Sequence, residues 1–81
     1  MNHDFEIDAT GLLCPLPVLK LRKRMTSLNS GSIIKVLADD PAAIIDIPHF
    51  CSENKHLLLD TREPLQTNTN ENLREYFVKK G

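Results

Sequence analysis

The chain has 81 residues, a net charge of −1 and a sequence pI near 6.3, with three phenylalanines and one tyrosine as its only aromatics. That balance excludes a protein whose main task is gripping nucleic acid, which needs a basic surface and stacking rings. Two cysteines are too few for a secreted disulfide scaffold, and no apolar run reaches signal-peptide or membrane-spanning length. The expectation is one small cytoplasmic domain over residues 1–81, with reduced thiols, no membrane contact and a modest core.

Phe5-Glu6-Ile7-Asp8-Ala9 alternates apolar and charged residues and predicts a short half-buried strand, which Gly11 lets the backbone leave. Cys14-Pro15-Leu16-Pro17 follows, and then Val18, Leu21, Met25 and Leu28 recur at spacings of three and four. Cys14 therefore stands where a loop becomes a helix running to about Leu28. Pro15 or Pro17 can be the first helical residue, since the N–H that proline lacks has no intrahelical partner there. In either register the sulfur lies near free N–H groups and the positive end of the helix dipole, which favours the nucleophilic thiolate. A free cysteine is also commonly a small buried hydrophobe, and on the residues alone both readings stand. Spacing supplies no Cys-x-x-Cys motif and no histidine near Cys14.

Lys20, Arg22, Lys23 and Arg24 cover the outward face of this helix. They suit either a solvated surface or a docking patch for an acidic partner. Asn29-Ser30-Gly31-Ser32 stops the helix, with Gly31 as a plausible C-terminal cap. Ile33–Ala38 is β-branched and apolar, as in a central strand. Asp39-Asp40-Pro41 then reads as a helix entry with Asp40 as N-cap, preferred to a metal or acid–base role because the pattern places no further carboxylate beside the pair.

Ala43, Ile44, Ile47, Phe50 and Cys51 form an apolar stripe interrupted by Pro48, which predicts one turn, a kink near Ile47 and a helix to about Asn54. Cys51 on that stripe is expected to pack, with a resolving thiol for Cys14 as the sharper alternative. His56–Thr61 is a third strand, Arg62–Asn72 a polar loop, and Leu73–Lys79 the last strand. His3, His49 and His56 have no metal-ligand spacing, so no metal and no cofactor is expected. The order β-α-β-α-β-β gives an α/β fold, a two-layer α/β sandwich in which two helices cover one face of a four-stranded mixed sheet.

The run Asp8-Ala9-Thr10-Gly11-Leu12-Leu13-Cys14-Pro15-Leu16-Pro17 resembles the Cys-Pro-x-Pro signature of the TusA family of small sulfur carriers. Ala38-Asp39-Asp40-Pro41-Ala42 through Asp46-Ile47-Pro48-His49-Phe50-Cys51 resembles that family's second block, and Tyr76–Gly81 its closing strand. The likeness spans almost the whole chain. It departs at Leu16, where glutamate is common, and at Asn54-Lys55-His56, where many members carry a glycine before the histidine; a changed residue beside Cys14 bears on partner preference. The resemblance implies the same fold, with Cys14 as the residue that carries sulfur.

It further implies a cysteine desulfurase as donor and a downstream relay complex as acceptor. In the branch that the second block favours, the sulfur ends as 2-thiouridine at the tRNA wobble position; other branches serve sulfur oxidation, molybdenum-cofactor supply or selenium metabolism. The residues fit such a role, because sulfur exchange needs an activated thiolate and no oxyanion site. The competing class is a redox or regulatory protein in which Cys14 forms a disulfide with Cys51 or a partner. An interaction module that makes no use of Cys14 is a third.

Overall fold

The computed structural model describes residues 2–63 and 72–81. Its elements are β1 (Phe5–Asp8), α1 (Leu16–Met25), β2 (Ile33–Ala38), α2 (Ala43–Glu53), β3 (Leu57–Arg62) and β4 (Arg74–Lys79). The four strands form one mixed sheet in the order β1-β2-β4-β3. β2 is central, as its β-branched composition predicts. It pairs parallel with β1 through Ile7 opposite Val36, and antiparallel with β4 through Val36 opposite Tyr76 and Ile34 opposite Val78. β3 and β4 pair antiparallel as expected. The second helical crossover skips a place, so β4 lies between β2 and β3.

Side chains on a strand alternate between faces. Ile34, Val36, Ala38, Tyr76 and Val78 therefore share one face of the sheet, and all are buried. They form one cluster with Leu21, Met25 and Leu28 from α1 and the turn after it, and with Ala43, Ile47, Phe50 and Cys51 from α2. Both helices thus cover the same face. Phe77 points the other way and is also buried: His3 meets its ring edge-on at 6.0 Å between centroids, and the Arg62 guanidinium lies 5.5 Å from its centre.

Several sequence expectations shift. α1 ends at Met25 rather than near Leu28, where the Thr26 and Ser27 hydroxyls donate to the Lys23 and Arg24 carbonyls and compete with the helical ladder. Gly31 is accordingly not its cap. It turns the chain into β2 with φ of 91°, and its N–H donates to the Lys80 carbonyl. α2 passes through Pro48 without a break. An interior proline costs about 3 kcal/mol, and burial of Ile47, Phe50 and Cys51 on either side offsets it. Ile44, placed on the buried stripe by its spacing, is half exposed. β3 begins at Leu57 and extends through Arg62, which the sequence reading gave to a loop; most of that polar loop lies outside the described residues.

Candidate functional site

Cys14 is exposed in the turn that leads into α1. Neither proline is the first helical residue. Pro15 is the N-cap, joined to Cys14 by a cis peptide bond, and helix begins at Leu16. The start offers fewer donors than expected. The Leu16 N–H bonds the Leu13 carbonyl at 2.8 Å, and Pro17 has no N–H.

What faces the sulfur is a carboxylate. Cys14 Sγ donates to Asp46 Oδ2 at 2.8 Å. Asp46 lies in the first turn of α2, where an acidic side chain complements the helix dipole. The two helix starts thus converge, one bringing the thiol and the other its acceptor. An oxygen of Asp40 completes a group in which the ligand atoms of Cys14, Asp40 and Asp46 all lie within 4.8 Å of one another.

These neighbours reverse the electrostatic expectation for Cys14. The hydrogen bond to Asp46 raises the thiol above its ordinary value, helped by partial desolvation and by the charges of Asp46 and Asp40. At rest Cys14 is a thiol hydrogen-bonded to a carboxylate, not a thiolate held by a helix dipole. Cys51 is different again. It is buried in the core cluster, and burial alone pushes its thiol up to about 11. Both cysteines are free.

The capping assignment of Asp40 also fails. The N-cap of α2 is Ala42, with no side-chain bond to the helix start. Asp40 is instead buried, and its Oδ2 accepts no hydrogen bond among the described residues. Asp39 accepts the Gly11 N–H at 2.9 Å, tying the loop before Cys14 to the end of β2. Sequence reasoning missed Asp46 altogether. A signal was present: it is the only charged residue between Pro41 and His49, on a stretch otherwise made of Ala and Ile up to Pro48.

Exposed apolar side chains adjoin the two helix starts along the chain: Leu13 is 68% exposed, Leu16 and Leu19 are about half exposed, and Ile45, next to Asp46, is 70% exposed. A groove of about 260 Å³ opens beside Cys14, lined by Val18, Asp46, His49 and Phe50. Farther along α1 the basic face divides by role. Lys20 Nζ donates to the Asp8 carbonyl at 2.7 Å, and the Arg24 guanidinium lies 5.1 Å from the centre of the Phe5 ring. Arg22 and Lys23 are exposed and make no ion pair among the described residues. The histidines have partners of their own: His3 with Glu6, His49 with Glu53, and His56 Nδ1 accepting from the Gly81 N–H. Among the described residues, no helix is long and apolar enough to cross a membrane.

An exposed thiol at the meeting of two helix starts is chemically suited to exchanging sulfur with another protein's cysteine. The chain resembles the sulfur carrier protein TusA of Pseudomonas entomophila, with 46% identity over 65 residues, covering 80% of this chain and 81% of the relative. The fold is shared with a SirA-like protein from Desulfitobacterium hafniense at a TM-score of 0.71 and 20% identity, covering 96% of this chain and 99% of that one. The profile of the family described as Sulfurtransferase TusA matches residues 5–80, and the chain belongs to this family of sulfur carriers.

Proposed function

We propose that Cys14 is the sulfur-carrying residue, taking persulfide sulfur from a cysteine desulfurase and handing it to a downstream relay protein, on the path to 2-thiouridine at the tRNA wobble position. The observation that carries this reading is the exposure of Cys14 at the meeting of two helix starts, while Cys51, the other thiol, is buried.

In loading, Cys14 Sγ attacks the outer sulfur of the donor persulfide. An S–S bond forms to Cys14 as the donor's S–S bond breaks, and the donor leaves as a thiolate. The Cys14 proton passes through Asp46, 2.8 Å away, and ends on the departing donor sulfur. In unloading, the acceptor thiolate attacks the same outer sulfur, and Cys14 leaves and regains a proton. No net oxidation occurs and no cofactor enters. Contact with RNA belongs to the partners, because the chain has a net charge of −1 and few rings for stacking. The setting is cytoplasmic, where both thiols stay reduced.

The test is incubation with a cysteine desulfurase, cysteine carrying labelled sulfur, and intact-mass detection. One added sulfur on the wild-type chain and none on Cys14→Ser is the expected result. Label on Cys51, or label persisting in Cys14→Ser, would sink the assignment.

A further inference from the structure

Two carboxylates and a thiol share a small volume. Neither Asp40 nor Asp46 pairs with a lysine or arginine among the described residues. Asp40 is only 7% exposed, yet its Oδ2 has no hydrogen-bond partner among the described residues. Leaving a buried polar group unsatisfied costs about 1–3 kcal/mol, and more for a charged one. A carboxylate in that position, with an oxygen within 4.8 Å of a thiol and a second carboxylate, is suited to take a positive ligand.

We propose that Cys14, Asp40 and Asp46 bind one divalent cation of the zinc type. The ligand set selects the class. A thiolate favours soft or borderline ions and argues against magnesium and calcium, while carboxylate oxygens are accepted by zinc. The dimensions fit. Zinc sits about 2.3 Å from sulfur and about 2.0–2.2 Å from oxygen, so tetrahedral ligands stand roughly 3.5 Å apart. The three ligand atoms already lie within 4.8 Å of one another, and the 2.8 Å hydrogen bond only has to open slightly.

The groove beside Cys14 and Asp46 gives the ion its way in, and a water completes a four-coordinate site. Binding forms a sulfur–metal bond and releases the Cys14 proton to solvent, with no change of oxidation state. The site then goes from two carboxylates beside a neutral thiol to two carboxylates and a thiolate around a doubly charged ion, which lowers its net negative charge. Metal and incoming sulfur need the same lone pairs on Cys14, so a bound ion holds the carrier closed. The site itself does not depend on the sulfur-carrying reading and is tested without any donor.

Cadmium is the probe, because a cysteine thiolate bound to it gives a charge-transfer absorption in the ultraviolet. The chelator-stripped full chain is titrated with Cd²⁺, and Zn²⁺ is added as competitor. The expected result is one equivalent bound with the thiolate band, displaced by Zn²⁺, absent in Cys14→Ser and intact in Cys51→Ala. Asp40→Asn and Asp46→Asn should each weaken binding by at least the roughly tenfold that even an outer partner of a metal costs. Asp46 is only half buried, so Asp46→Asn keeps the test decisive if Asp40→Asn fails to fold. Stoichiometric Zn²⁺ should also protect Cys14 from alkylation until EDTA is added. A band that survives in Cys14→Ser, affinity unchanged in Asp46→Asn, or no saturable binding would each overturn the proposal.

Discussion

Cys14 Sγ donates to Asp46 Oδ2 across 2.8 Å, although the residues stand 32 positions apart in the chain. The bond stabilises the thiol over the thiolate, so Cys14 is exposed yet restrained. In chelator at pH 7.5, Asp46→Asn should therefore alkylate faster at Cys14 than the wild type. Each tenfold gain in thiolate is partly offset by the weaker nucleophilicity of a more acidic thiol, leaving roughly a three- to fourfold rise in rate. Iodoacetamide kinetics with mass mapping would measure it, and an unchanged rate would show that Asp46 does not govern the thiol.

The two cysteines should separate in the folded chain. Cys14 should alkylate well before Cys51, which is buried and pushed up to about 11. Cys51→Ser should still accept sulfur but lose on the order of 1–3 kcal/mol of stability, because it puts a hydroxyl into the core. Urea unfolding beside the sulfur assay reads both effects; sulfur acceptance lost with stability intact would give Cys51 a chemical role.

Stability should fall as the solution is acidified below the ordinary histidine value of 6.5. His56 is held below that value, first by partial burial and then by the charge of Lys80. The unfolded chain binds this proton more tightly than the folded one, so folding is most favoured above 6.5 and weakens as pH drops towards the lower folded value. Asp8 and Asp60, both held below 3.8, lose their contributions only at much lower pH. The urea midpoint should thus be lower at pH 5.5 than at 7.5 in the wild type and nearly equal in His56→Gln. Equal slopes in the two proteins would assign the effect elsewhere.

The basic helix face should act on encounter rather than chemistry. Arg22→Glu and Lys23→Glu should slow association with a desulfurase and flatten its salt dependence, since exposed charges act mainly on the on-rate. Arg24→Glu should differ by also costing about 0.5–1 kcal/mol of stability, through loss of the contact with Phe5. Stopped-flow association at two salt concentrations, with unfolding curves, separates these. Rates unchanged at low salt would leave the face as solvated surface.

Much of the fold was legible because its signals are local. Alternation marked β1, β-branched composition marked β2 as central, and the spacing of Leu21, Met25 and Leu28 marked the buried side of α1. The place of Cys14 just before a helix was legible too, because two prolines announce a helix start whatever lies around it. The tertiary structure alone decided which charges surround that sulfur. A helix dipole can be read from the chain, whereas Asp46 reaches Cys14 only because α1 and α2 dock side by side on one face of the sheet. The same docking turned Asp40 from an apparent cap into a buried carboxylate, carried α2 through Pro48 and left Ile44 half exposed. Sequence spacing reports the period of one helix, but the direction a helix faces is set by what it packs against.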